Sequence, residues 1–235
     1  MLRRLDQDLW VAEQPLRYLG VAVGARMTVV RLAADTLVVI SAIEPDPTLV
    51  AQLNDLGRVM HIIVPNLYHS MFAKSFKAAF PQARLWAVPG LRDKQPDIPV
   101  DAVILPETSA WPGLAHQFFT GLKTLGLNGV DDFGECVFLH AASRTLIVTD
   151  AAFYFDETFP ALTQFAMQLL GSYKHLRPSL LERVVSPRKA VLASLRTVLD
   201  WDFERVVMAH GSVIEHEGKT KLRQGYAPFL GGSTI

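Results

Sequence analysis

The stretch His61–Pro81 constrains this chain more than any other. It opens with His61-Ile62-Ile63-Val64, a β-branched apolar run of strand length. Pro65-Asn66 breaks the run, because proline cannot donate to a sheet and asparagine tolerates turn geometry. His69 follows in the loop. Apolar residues then recur at Met71, Phe72, Phe76, Ala79 and Phe80, which predicts a helix with one buried face, ending at Pro81. A strand that delivers a histidine into a loop before a helix is a recurrent site architecture in open α/β sheets.

The same strand–helix alternation runs along the chain. Met27–Leu32 and Thr36–Ile40 read as strands joined at Ala33-Ala34-Asp35. Asp46-Pro47 caps and starts a helix with Leu49, Val50, Leu53 and Leu56 inside, and Gly57 ends it. Arg84–Val88 is a strand, and Pro89–Pro112 reads as a long surface connection with a short strand at Val103-Ile104-Leu105. Gln117–Leu122 is a strand and Gly126–Gly134 a loop. Glu135–His140 and Thr145–Thr149 form a hairpin, with Asp150 at its end. Helices follow at Ala161–Leu170, after Ser186-Pro187 and at Gly218–Leu230, with a strand at Glu204–Met208 running into Ala209-His210-Gly211. Two similar passes of strands and helices predict an α/β fold, a four-layer αββα sandwich of mixed sheets, as one domain over residues 1–235.

Composition excludes several classes. Half of the 235 residues are hydrophobic, enough for a large core and against disorder. Lys+Arg and Asp+Glu balance at 23 each, so no overall field favours nucleic acid or a membrane surface. Every apolar run is interrupted before it reaches membrane-spanning length, and the N-terminus lacks a signal-like apolar segment, so the expectation is a cytoplasmic protein. A single cysteine, Cys136, cannot form an internal disulfide and reads as a small buried hydrophobe.

The residues Arg26–Leu32, Val64–His69 and Ser143–Asp150, with Ala209-His210-Gly211, resemble the metallo-β-lactamase superfamily, and more closely a branch of it of unknown function. The resemblance implies a metal-dependent hydrolase. The superfamily's first motif, H-x-H-x-D-H, falls on Val64-Pro65-Asn66-Leu67-Tyr68-His69, so only its last histidine is kept. The next superfamily histidine falls in Asp131-Asp132-Phe133-Gly134 and is also missing. Asp150 matches the bridging aspartate, His210 the last histidine, and Ser41 takes the place of an early acidic residue. The losses strip one ion of a two-ion site of its three histidines. His69, Asp150 and His210 remain as a two-histidine, one-carboxylate set, enough for one zinc or iron ion.

Two readings of these residues stay open. In the first, a single metal supplies an acidified water for attack on a carbonyl or phosphorus centre. Asp150 is then both ligand and orienting base, and Tyr68 or Asn66 is an electrophilic helper. In the second, Asp150 and His210 are a hydrogen-bonded remnant. The fold then serves as a ligand-binding or interaction protein, with a cleft lined by Val64, Pro65, Leu67, Tyr68 and Phe72. Asp131, Asp132 and Glu135 read as a solvated acidic turn with the chemistry of a replacement ligand, and His140 as a satisfied strand histidine. The substrate or ligand and the oligomeric state are not legible.

Overall fold

Alternation of apolar side chains across two stacked sheets builds this fold. A computed structural model describes residues 1–126 and 129–230. Seven strands form the first sheet: β1 (Arg3–Asp6), β2 (Leu9–Gln14), β3 (Ala25–Arg31), β4 (Thr36–Ile40), β5 (Arg58–Val64), β6 (Arg84–Ala87) and β7 (Ala102–Val103). They lie in sequence order. β1 to β4 are antiparallel neighbours, and β4 to β7 are parallel. The second sheet has the order β8 (Leu114–Phe119), β9 (Glu135–His140), β10 (Thr145–Ile147) and β11 (Arg205–Val207), with the last pair parallel.

Period-two alternation then sorts the side chains. Val38, Ile40 and Ile63 meet Cys136, Phe138 and Ile147 in the layer between the sheets. Leu37, Val39, Ile62 and Val64 point outward onto α1 (Pro47–Leu56) and α2 (Ala73–Ala79) through Leu49, Leu53, Ala73 and Phe76. On the far side Val137, Leu139, Leu146 and Val206 pack on α4 (Arg188–Asp200) and α5 (Gly218–Leu230). A further helix, α3 (Ala161–Leu170), sits over a smaller apolar cluster with Val23, Phe155 and Met167. The layers are therefore helix, sheet, sheet, helix, as the sequence pattern predicts. Among the described residues no helix is long and apolar enough to cross a membrane.

Local signals explain most boundaries. Asp46 Oδ1 accepts the Leu49 N–H, and Pro47 opens α1. Gly57 ends that helix for a reason other than a left-handed cap. A Cβ there would collide with the Asp35 carbonyl, so only glycine lets the chain pass the turn before β4.

The structure corrects several expectations. Strand β1, which no sequence pattern announces, carries no apolar alternation and owes its pairing to β2. Met71 lies outside α2 and is exposed, whereas Ala73 and Phe76 supply the buried face. The predicted strand at Gln117–Leu122 lies earlier, at Leu114–Phe119. The predicted loop Gly126–Gly134 is largely a hairpin of Lys123–Gly126 with Gly129–Asp132, and Leu127 and Asn128 lie outside the described residues. The predicted surface connection Pro89–Pro112 buries Ile104 and Trp111 between the sheets and supplies the edge strand β7.

Phe138 sits fully buried between the sheets, where truncation leaves a cavity that neither rigid sheet can close. Phe138→Ala is expected to lower unfolding free energy by about 3–5 kcal/mol, measured by chemical denaturation.

Candidate metal centre

The turns that leave the strands at one end of the sandwich carry the candidate site. Ser41 follows β4, Asn66 and His69 follow β5, Thr149 and Asp150 follow β10, and His210 follows β11. Among the described residues, His69, Asp150 and His210 bring one ligand atom each to within 4.8 Å of one another. His69 Nε2 lies 3.1 Å from Asp150 Oδ2, and His210 Nε2 lies 3.9 Å from Asp150 Oδ1. The two imidazole rings are 5.0 Å apart between centroids.

Each ring is held by its other nitrogen. His210 Nδ1 lies 2.5 Å from the Gly24 carbonyl oxygen, which can only accept, so Nδ1 carries the hydrogen and Nε2 presents its lone pair. His69 Nδ1 bonds Ser41 Oγ at 2.8 Å. Gly211, at φ 93°, passes so close to the Tyr154 carbonyl that a Cβ would collide with it, and this passage sets the turn that carries His210.

Asn66 organises the carboxylate side. Its Oδ1 accepts the backbone N–H groups of Tyr68 and His69, both at 2.8 Å. That fixes the orientation of the amide. Nδ2 then donates toward Asp150 Oδ2 at 2.8 Å, Thr149 Oγ1 at 3.1 Å and Glu135 Oε2 at 3.4 Å. Glu135 is fully buried, and its two oxygens accept the N–H groups of Thr149 and Asp150, both at 2.8 Å. A buried carboxylate needs such donors. Glu135 is therefore an interior brace for the Asp150 turn, not part of an acidic surface turn. Sequence reading missed this role; the one available signal was a glutamate opening an otherwise apolar strand.

The protonation pattern follows from these contacts. Burial works against the Asp150 carboxylate, but the His69 ring beside it, the nearby His210 and the Asn66 amide pull its pKa down to about 2. Burial also opposes the His69 imidazolium, yet the Asp150 carboxylate outweighs it and holds His69 above the usual histidine range. His210 is pushed down to about 4 by burial and by the charge on His69. Burial and the Asp150 charge raise Glu135. A carboxylate that stays ionised is what metal ligation requires of Asp150.

Two expected helpers are committed elsewhere. The Tyr68 hydroxyl donates to Asp131 Oδ2 at 2.8 Å, and Lys94 Nζ stands 3.7 Å over its ring. Burial and the Asp131 charge raise the phenol well above its usual range. Asn66 has its carboxamide oxygen and nitrogen engaged and is fully buried, so it offers no free atom to a water or substrate carbonyl. Val64 and Pro65 are buried too, Val64 against the helix layer, so neither lines an open cleft. Asp132 pairs with Lys123, and His140 Nδ1 bonds Ser143 Oγ at 2.7 Å as a satisfied strand histidine.

The donor set fits a metal. Two imidazole nitrogens and one carboxylate on convergent turns match the ligand chemistry of zinc or non-haem iron. The lone pair of His210 is directed by the Gly24 contact, and His69 must release one proton to offer its own.

Comparison with known proteins agrees with this architecture. Similar solved structures include a metallo-β-lactamase from Hirschia baltica (13% identity, TM-score 0.65, covering 97% of this chain and 96% of that one). Another is a metallo-β-lactamase from Pontibacter korlensis (13%, TM-score 0.65, 99% of each chain). A third is the metallo-β-lactamase FIM-1 from Pseudomonas aeruginosa in a mono-zinc form (11%, TM-score 0.61, 97% and 95%). At such identities the likeness shows the fold. No curated protein matches by sequence. The family model described as "Domain of unknown function (DUF4336)" matches residues 6–178. The chain belongs to that family, and its fold is that of the metallo-β-lactamases.

Proposed function

We propose that this protein is a metal-dependent hydrolase that works with a single zinc or iron ion held by His69, Asp150 and His210. The observation that carries the reading is the convergence of three ligand atoms within 4.8 Å, with the lone pair of His210 aimed inward by its bond to the Gly24 carbonyl. A bound ion of this kind supplies Lewis acidity, which acidifies water and polarises a carbonyl or phosphoryl oxygen. The chain's own residues set the frame. Ser41 orients the His69 ring, Asn66 holds Asp150 Oδ2, and Glu135 braces the turn that bears Asp150.

The same contacts support one ion and not two. Where the superfamily resemblance sets a histidine of the other ion, Asn66 directs an amide nitrogen at Asp150, Thr149 and Glu135. The donor fills the space in which a second cation would neutralise those oxygens.

A specific observation favours the alternative, an interaction scaffold. Helix α3 contains no charged residue and exposes Leu162, Phe165 and Leu169. Metal analysis separates the two readings. Protein purified without added metal is expected to carry about one ion per chain, and His210→Ala to lose it. Metal absent from both proteins would favour the scaffold.

The pH dependence has a defined sign. Above about pH 5, His210 carries no proton that competes with metal, since its pKa lies at about 4. His69 sits above the ordinary histidine value and must lose its proton to bind. Zinc affinity is therefore expected to fall toward tenfold per unit as pH drops below the His69 pKa, read by chelator competition. Asn66→Asp would replace the amide donor that faces Asp150 and Glu135 with a third carboxylate. It is expected to destabilise the metal-free protein by roughly 2–4 kcal/mol, measured by denaturant unfolding, with partial recovery on adding zinc.

A further inference from the structure

We infer that Arg26 is a positioning residue for His210, aiming from the first sheet a ligand carried by the second. The inference rests on the reading of His69, Asp150 and His210 as a metal site. Arg26 stands on β3, and its side chain is 8% exposed. Its Nη1 donates to the Met208 carbonyl and its Nη2 to the Gly211 carbonyl, both at 2.6 Å. Those carbonyls bracket His210 on either side. The Arg26 backbone N–H donates to the Ala209 carbonyl at 2.8 Å. Two residues earlier, the Gly24 carbonyl accepts from His210 Nδ1. Gly24 and Arg26 thus supply four polar anchors for the turn 208–211 and for the ring it carries. Just after the turn, the Ser212 N–H donates to the Tyr154 carbonyl at 2.7 Å.

The choice of arginine is informative. A buried cation is costly, and neutral carbonyls compensate it only in good geometry. Here a planar fork meets two carbonyls at once. Glu13, cross-strand from Arg26 on β2, accepts from Nε at 2.8 Å and fixes the rotation of the fork. A lysine ammonium could reach one carbonyl but could not straddle both. Loss of the fork leaves the His210 backbone free to shift, and the Gly24 bond that sets the ring tautomer loosens with it. Partners that orient metal-binding histidines commonly contribute 10–100-fold in metal affinity.

The test compares the full chain with Arg26→Lys, Glu13→Gln and His210→Ala. Zinc and cobalt(II) affinities are measured by chelator competition. The His210 tautomer is read from imidazole ¹⁵N shifts in the metal-free protein, a signature that general destabilisation does not move. Arg26→Lys is expected to bind zinc about 10–100-fold more weakly and to show a mixed tautomer in place of the Nδ1–H form. Glu13→Gln, at the half-exposed end of the fork, is expected to shift both readouts in the same direction by less. It serves where Arg26→Lys fails to fold. Wild-type affinity and an intact Nδ1–H tautomer in the folded Arg26 variant, or in Glu13→Gln when that variant alone folds, overturn the inference while His210→Ala still loses metal. Wild-type affinity in His210→Ala overturns the metal-site reading itself.

Discussion

Asp150 and Glu135 are buried carboxylates on neighbouring strand ends, and the site depends on how each is compensated. Glu135 accepts two backbone N–H groups from the Asp150 turn. Asp150 leans on the Asn66 amide and the His69 ring. Neither solution works without the other, because the same Asn66 nitrogen faces both side chains. Hydrogen bonds alone supply the donors that these buried oxygens need.

The second dependence is mechanical. His69 and Ser41 leave the first sheet, whereas Asp150 and His210 leave the second. The cluster of His69, Asp150 and His210 exists only while the sheets stay in register across their apolar interface. Aromatic and aliphatic packing through Phe138, Ile63 and Ile147 provides that register. Polar ties sharpen it at the ends. Arg26 and Gly24 reach the His210 turn at one end, and Arg205 reaches Asp6 from β11 at the other. Nonpolar burial supplies most of the stability, while these directional bonds fix positions to fractions of an ångström.

Much of this was legible in the sequence, for identifiable reasons. The strand into Asn66 and the helix at Phe76 follow from local periodicity, and α1 from Asp46 and Pro47. His69, Asp150 and His210 each follow an apolar strand, and it was the superfamily resemblance that singled them out as a set. What stayed hidden was non-local. Glu135 meets Asn66 across 69 residues, and Arg26 meets Met208 across 182, so no window of sequence displays either contact. The hydroxyl of Tyr68 was free on paper; only folding brings Asp131 and Lys94 to it. Strand β1, polar and half-exposed, has no pattern of its own and is defined by its neighbour.

The claim that one ion is held by two histidines and one aspartate, with Asn66 filling the second position, is tested most directly by X-ray absorption on zinc-loaded protein. The account predicts a shell containing two imidazoles and a carboxylate, with no metal–metal vector even at excess zinc. A metal–metal distance of about 3.5–4 Å, or a shell lacking imidazole, would contradict it.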